Sequence, residues 1–380
     1  MRFLFACGGT AGHINPALGV AGRIRELLPD SEFLFIGALG KMEMDLIPRE
    51  GYEIRGITVS GLSRAMNMEG LRHNAKFLAD LQKARRECRK IIKEFQPDAA
   101  IGTGGYVCFP VLLEASAMKI PALVHESNAE PGLTTKMLEH HVDKIMVGFE
   151  EARQNYRHPE KVVVTGTPVR LGFMRTEKQQ ARRELGIAED EPLVVSVWGS
   201  LGATDMNMVV ARMIANMMKC EKRPFRLVHS AGTRGIESMT QYMSGELGLT
   251  GWNEAGFEVK DYIYDMPKFM AAADVILCRS GASTLAELAA IGKPALLVPS
   301  PNVVHNHQEK NARILEHGGA AVVLLESGAD ENTMFSTISD LLNDGEKLAQ
   351  MEENMRSMAV ENATDEIASI VLGMAAGEQR

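Results

Sequence analysis

Residues 273–312 run ADVILCRSGASTLAELAAIGKPALLVPSPNVVHNHQEKNA. Val275 to Cys278 is a short apolar run suited to a buried parallel strand. Arg279-Ser280-Gly281 makes a turn. Ala282 to Ile291 is built of helix formers, with Leu285, Leu288 and Ala289 marking a buried face. Gly292 stops that helix and Pro294 bars its continuation. Ala295 to Val298 reads as a second apolar strand, followed by a loop rich in Pro and Asn and a helix opening near His305. This is a β-α-β unit whose polar residues gather at the C-terminal ends of its strands, where open α/β sheets bind ligands.

Three features of this unit carry chemistry. The Ser280-Gly281-Ala282 turn opens a helix whose free N–H groups and dipole suit an anion such as a pyrophosphate. Glu287 lies inside that helix, with a carboxylate able to accept two hydrogen bonds from a ribose diol. Gln308 and Asn311 are spaced to share one face of the next helix and offer amides to sugar hydroxyls. Each alone reads as an ordinary helix polar residue. Together, on adjacent loop–helix junctions, they favour a nucleotide-sugar site.

At 380 residues the chain exceeds one ordinary domain, and two are expected. The net charge of −8 argues against nucleic acid as the main partner. Cys7, Cys88, Cys108, Cys220 and Cys278 include no C-x-x-C and read as reduced, buried thiols of a cytoplasmic protein. Met1 to Cys7 leads straight into a strand and a glycine loop, so no signal peptide is expected. No apolar run approaches the ~20 residues needed to span a bilayer; if a membrane is involved, the protein lies on it.

Working outward, Phe3 to Ala6 is a strand that runs into GGTAGHINPA, Gly8 to Ala17, with a helix expected over Leu18 to Leu28. Strand, glycine turn and helix form a phosphate cradle, but the spacing is neither the dinucleotide fingerprint nor a P-loop. His13 is the distinctive residue. An imidazole at a helix start is biased toward its neutral form, as a general base requires; a histidine that only hydrogen-bonds the loop fits equally well. Glu32 to Gly37 and Ile54 to Val59 are further strands. The helix expected over Met68 to Phe95 and the turn before it carry Arg64, Arg72, Lys76, Lys83, Arg85, Arg86, Arg89 and Lys90 among apolar residues. That pattern is compatible with an anionic membrane surface, or with a packed helix that has a solvated charged face.

Asp98 to Gly102 leads into a second glycine turn, GTGGYVCFP, with Tyr106 at its rim. Ile120 to His125 runs into HESNAEPG, a strand end polar enough to suggest that something is held there; a set of turn and N-cap residues would explain Asn128 but not Glu126. Strands at Lys144–Val147 and Val162–Thr165 finish the half, and GTPVR, Gly166 to Arg170, is placed at the domain boundary. The second half repeats the pattern. Leu193 to Val197 ends in WGSLGA, a third glycine turn, with Asn207 one turn into its helix. Ile263 and Met266 lie in a loop suited to resting against a base. The class is α/β: two halves, each opening with a strand, a glycine turn and a helix, and facing each other across a ligand cleft.

In this order GGTAGHINPA, GTGGYVCFP, HESNAEPG, GTPVR, GSLGA and CRSGASTLAEL…GKPALLVP…HQEKNA resemble the MurG family, over essentially the whole chain. The resemblance implies a GT-B glycosyltransferase of two Rossmann-like domains. Residues 1–166 would bind the acceptor and residues 167–362 UDP-GlcNAc, with a C-terminal helix, 363–380, packing back on the first domain. It implies an inverting transfer of GlcNAc to the 4-hydroxyl of MurNAc in lipid I (undecaprenyl-pyrophosphoryl-MurNAc-pentapeptide), giving lipid II for peptidoglycan. The enzyme would work at the cytoplasmic face of the cell membrane, against anionic lipids. Neither cofactor nor metal is implied, and the absence of an Asp-x-Asp triplet agrees.

Carried to this sequence, the resemblance makes His13 the base, with Glu126 the second catalytic position. Donor contacts fall on Thr10, Ala11, Gly12, Asn128, Arg170, Ser200, Ile263, Ala282, Ser283, Thr284, Leu285, Ala286, Glu287 and Gln308. Among them Glu287 would take the ribose, Ile263 frame uracil, Ser200 and Ala282 meet the phosphates, and Gln308 read GlcNAc. Acceptor contacts fall on Gly8, Gly9, Gly104, Gly105, Tyr106, His125 and Asn207. The sequence departs from the family pattern at Ala11 and Trp198, where glycine is usual, at Ser127 for glutamine and at Thr167 for asparagine. Ala11 should restrict the first loop, and Trp198 should bring bulk near the nucleotide loop. The competing readings are a family 28 transferase with another lipid or small-molecule acceptor, a UDP-sugar epimerase, or a UDP-sugar-binding protein without turnover. His13, Glu126 and Glu287 together argue against the last.

Overall fold

The structure, a computed structural model, describes residues 1–60, 68–199, 202–232, 235–252, 257–303 and 306–377. The chain forms two compact units, Met1–Leu171 with Val360–Arg380, and Gly172–Ala359.

The first unit is built on a seven-stranded sheet. Its strands are β1 (Arg2–Ala6), β2 (Glu32–Ala38), β3 (Glu53–Ile57), β4 (Ala99–Gly102), β5 (Ala122–Glu126), β6 (Lys144–Val147) and β7 (Val162–Val164). All pair in parallel, in the order β3-β2-β1-β4-β5-β6-β7. Helices α1 (Ala11–Leu27), α2 (Glu43–Arg49), α3 (Met68–Phe95), α4 (Cys108–Ala117) and α5 (Leu133–Leu138) connect them. Coverage on both faces is why the central strands are apolar at every position: Phe3, Leu4, Phe5 and Ala6 are all buried. In-register Phe5 and Phe35 stack at 5.0 Å between ring centroids.

Beyond small shifts at several element ends, two boundaries differ markedly from the sequence reading. Helix α1 begins at Ala11 rather than Leu18. Gly, Asn and Pro made residues 11–17 look like a loop, but burial of Ile14, Pro16 and Ala17 outweighs their poor propensity. Thr167 to Leu171, expected to open the second domain, stay with the first. Val169 N–H donates to Thr364 Oγ1 at 3.1 Å, and a side chain at Gly19 would strike the Val169 carbonyl.

The second unit repeats the topology. Helices α6 (Leu171–Arg175, its first residue still in the first unit) and α7 (Lys178–Leu185) lead to β8 (Leu193–Val197). Then come α8 (Thr204–Met217), β9 (Arg226–Ser230), α9 (Gly235–Glu246), β10 (Glu258–Lys260), α10 (Met266–Ala272), β11 (Val275–Cys278) and α11 (Ala282–Ile291). The unit closes with β12 (Ala295–Leu297), α12 (His307–His317), β13 (Ala321–Val323), α13 (Glu331–Asn343) and α14 (Gly345–Ser357). Its six-stranded sheet is ordered β10-β9-β8-β11-β12-β13. Each sheet thus reverses direction beside its first strand, at β1/β4 and at β8/β11, and such reversal points open a crevice at the strand ends. Helix α15 (Ala363–Ala376) returns to the first unit, where Ile367, Val371 and Met374 join the core beside Phe3 and Phe5. Of the cysteines, Cys7, Cys88, Cys108 and Cys278 are buried as expected, but Cys220 is exposed, because it follows the end of α8.

One buried cation makes stability depend on pH. Lys293 is 3% exposed and its Nζ donates to the Ala273 carbonyl at 2.7 Å. Burial, helped by nearby Lys178 and Arg356 and opposed by Glu352 and Asp274, pushes it down to about 7. The unfolded chain keeps this proton up to about pH 10.4. Between those values the unfolded state binds more protons, so this residue makes stability rise with pH. Lys293→Met is expected to be more stable than the parent at pH 7, by on the order of a few kcal/mol, with the advantage shrinking toward pH 10. Paired urea titrations at pH 6, 8 and 9.5 check this; an advantage independent of pH would show that Lys293 stays charged in the fold.

Candidate functional site

In the first unit the loops after β1 and β4 interlock. Gly8 N–H donates to the Gly104 carbonyl at 3.2 Å. Gly104 and Gly105 hold φ of 125° and 90°. A side chain at Gly104 would enter the His13 ring, and one at Gly105 would meet the Gly8 backbone. Thr103 Oγ1 donates to the His13 carbonyl at 2.6 Å. Cys108 lies beneath, its Sγ 3.1 Å from the Ala6 carbonyl, and burial pushes the thiol up to about 12, so it supports the loop rather than acting as a nucleophile.

His13 is half-buried in the first turn of α1, with Nδ1 3.0 Å from the Gly8 carbonyl. A carbonyl only accepts, so Nδ1 carries a hydrogen, and Nε2 is the nitrogen left to take up or hold a second proton. Thr10 is the extended N-cap and Gly12 the second helical residue. Ala11 is the first helical residue and is absent from the positive-φ positions, so the expected restriction of the loop does not arise. Glu43, on α2, has no signal in periodicity or motif and was missed in the sequence. It is 0% exposed and accepts from Gly9 N–H at 3.0 Å and Ala38 N–H at 2.9 Å.

The HESN strand end is held by itself. Glu126 accepts from Asn128 N–H at 3.1 Å, Asn128 Nδ2 at 3.0 Å, and Gly132 N–H and Thr135 Oγ1 at 2.9 Å. With four donors of its own loop on it, this carboxylate anchors the loop instead of standing free as a base. His125 is likewise buried, with Nε2 3.0 Å from the Gly166 carbonyl and Nδ1 3.4 Å from Ser127 Oγ, so its side chain is not presented to an acceptor. Its desolvation lowers its pKa. Arg170 belongs to the first unit, where it meets Glu50 at 3.4 Å.

Beside the loops runs an apolar groove lined by Val59, Phe77, Leu81, Phe109, Leu133 and Met137, with Tyr106 56% exposed at its edge. Arg64 lies outside the described residues, as do the side chains of Arg72 and Lys76. Lower on α3, Arg85 and the exposed Arg89 both reach buried Glu114, at 2.6 and 2.8 Å, so one of their two charges is offset within the unit. No helix among the described residues is long and apolar enough to cross a membrane.

In the second unit the turn after β11 is clasped to α12. Ser280 Oγ donates to the Gln308 carbonyl at 2.7 Å, and Ser300 N–H donates to Gln308 Oε1 at 2.9 Å. Asn311, read as a sugar contact, is instead buried, with Nδ2 3.4 Å from the Ser280 carbonyl. Gly281 is the extended N-cap of α11, so the first-turn amides of that helix point out of its N-terminal end. Glu287 is mostly buried one turn on; it lies near enough to Cys278 to add to the burial that pushes that thiol up to about 12. Leu285 points into the core and Ala286 is half-buried on the helix beside it. The Ile263 side chain is buried in the core of the second unit. Asn207 is fully buried, donating to the Ala231 carbonyl at 2.7 Å, so it holds the α8–β9 junction and faces no acceptor. Ser200 lies outside the described residues. Trp198 does not intrude on the loop: its ring is buried in the core, with the Arg279 guanidinium 5.5 Å from the ring centroid.

Two doubly wound sheets, each with its polar loops at the strand ends beside the reversal point, form the GT-B class of fold, on which nucleotide-sugar enzymes are built. Comparison bears this out. Residues 3–147 match the glycosyltransferase family 28 N-terminal domain and residues 193–367 its C-terminal domain. The chain is 43% identical, over 98% of its length and 97% of the relative's, to the UDP-N-acetylglucosamine–N-acetylmuramyl-(pentapeptide) pyrophosphoryl-undecaprenol N-acetylglucosamine transferase of Acetivibrio thermocellus. It is 38% identical to the enzyme of the same description from Caldanaerobacter subterraneus, over 98% of this chain and 99% of that one. Among solved structures, MurG of Acinetobacter baumannii superposes with a TM-score of 0.66 at 26% identity, covering 98% of this chain and 99% of that one. The chain belongs to the MurG family of glycosyltransferase family 28.

Proposed function

We infer that this protein transfers GlcNAc from UDP-GlcNAc to the MurNAc of lipid I, giving lipid II. Membership of the family carries this reading, and the orientation of His13 gives it a mechanism. With Nδ1–H committed to the Gly8 carbonyl, Nε2 takes the proton of the acceptor's 4-hydroxyl as its oxygen bonds to C1 of GlcNAc. The C1–O bond to the diphosphate breaks and UDP leaves with the electron pair. Attack opposite the leaving group inverts C1. The first-turn amides of α11 offset the charge gathering on the diphosphate, Glu287 takes the ribose, and the Nε2 amide group of Gln308 faces the sugar while its Oε1 holds the loop. The acceptor's pyrophosphate lies beside the interlocked loops at Gly104 and Gly105, since the Gly8 and Gly9 amides are already committed to the Gly104 carbonyl and to Glu43. The apolar groove beside Tyr106 meets the prenyl chain at the surface of the membrane, which we place on its cytoplasmic side, with the protein peripheral to it.

The test is UDP release from UDP-GlcNAc with and without a short-prenyl lipid I analogue. Release should require the analogue, and Glu287→Ala should raise KM for UDP-GlcNAc at least about tenfold, as expected for loss of charged hydrogen bonds. Release without acceptor, or none despite UDP-GlcNAc binding, would overturn the assignment. In the same assay Leu133→Ser should slow turnover of a long-prenyl acceptor in anionic vesicles and leave the soluble analogue unaffected; equal rates would count against the groove.

A further inference from the structure

We propose that Glu43 is a positioning residue that acts on His13 through a single peptide group. The proposal rests on the reading of His13 as the base. The Glu43 carboxylate accepts Gly9 N–H at 3.0 Å, and His13 Nδ1–H donates to the Gly8 carbonyl at 3.0 Å. Gly8 C=O and Gly9 N–H are the two ends of one amide, whose resonance couples them. A negative charge at the N–H end makes the carbonyl end a stronger acceptor, as in any hydrogen-bond chain in a low-dielectric setting. The carboxylate therefore does at one amide's remove what the aspartate of a hydrolase triad does directly: it fixes the tautomer and stabilises the imidazolium that forms on proton uptake.

The surroundings hold this relay in one geometry. The second carboxylate oxygen is tied to Ala38 N–H at 2.9 Å, at the end of β2. Glu43 is fully buried, so water does not compete for it. The planar trans amide points its carbonyl and its N–H in opposite directions, toward His13 and Glu43, Gly9 continues the loop at φ 88°, and a side chain at Gly8 would run into the carboxylate. A carboxylate there merely to close the loop would need no histidine at the far end of the same amide.

The experiment measures kcat, KM for UDP-GlcNAc and the 15N signals of the His13 imidazole in Glu43→Gln, His13→Ala and the double variant. Glu43→Gln is expected to lower kcat about 10- to 100-fold with KM within about twofold, and to mix the His13 tautomers. In the His13→Ala background it should cost no further factor, because the two act as a unit. An equal loss in both backgrounds, or an unchanged Nδ1–H pattern in Glu43→Gln, overturns the proposal. Full activity of His13→Ala would remove the base reading alone, and the tautomer signals would still decide the relay. If Glu43→Gln fails to fold, Glu43→Asp keeps the charge and withdraws it by one methylene, and the same readouts apply.

Discussion

His13→Ala is expected to lower kcat by about 10²–10⁴-fold, the usual worth of a positioned base, with KM for UDP-GlcNAc within about twofold. The reason for the split lies in the distribution of groups. The imidazole sits on the loops of the first unit, whereas the amides of α11, Glu287 and Gln308 belong to the second. Removing the ring takes away the acceptor for the proton and leaves the donor contacts untouched. Its packing role is modest, since His13 is only half-buried, so thermal unfolding should shift little. Steady-state kinetics with a soluble acceptor analogue check this. Full activity would remove His13 from the chemistry, and a loss confined to KM would make it a binding residue.

Glu126→Gln should behave in the opposite way, as a loss of stability. One carboxylate oxygen takes Asn128 N–H and Nδ2, the other Gly132 N–H and Thr135 Oγ1. Glutamine turns one of those oxygens into an NH₂ group and sets donor against donor in a buried place. Each stranded donor costs about 1–3 kcal/mol, so for the two on one oxygen about 2–6 kcal/mol is expected, with a fall in Tm of about 4–24 °C for a unit of this size. A base would show the reverse, with Tm held and kcat lost. Calorimetry beside kinetics separates the two roles, and an unchanged Tm would return Glu126 to the catalytic position the sequence suggested.

The contrast between these residues shows what sequence carries. Strands were legible because burial on both faces forces unbroken apolar runs: Lys144–Val147, Leu193–Val197 and Val275–Cys278 stand where they were read. The long α3 was legible from its periodicity, whereas the return of α15 to the first unit came only from the family resemblance. Polar residues at strand ends and on the helices that follow them were picked out as unusual, but their type could not say which way they face. Glu126, His125, Asn207 and Asn311 turn inward to hold loops, whereas His13 carries an open nitrogen. Glu43 could not be found at all, since a lone acidic residue on a two-turn helix looks like surface until the fold brings it under Gly9. Trp198 misled for the same reason: its size was visible, the core pocket that absorbs it was not.

The return of α15 bears on how the molecule is made. Ile367, Ala368, Val371 and Met374 complete the layer over Phe3, Phe5 and Ile101, and Arg23 pairs with Asp365 across that seam. A ribosome delivers those residues only after all of Gly172–Ala359, which at about 5–20 residues per second is a delay on the order of ten to forty seconds. Throughout that interval the amino-terminal sheet is complete while one apolar flank stays bare. The nascent chain therefore carries a sticky intermediate in every round of synthesis. A chaperone that shields it until the last helix arrives should raise the yield of soluble protein, and moving the α15 segment ahead of β1 by circular permutation should remove the delay altogether.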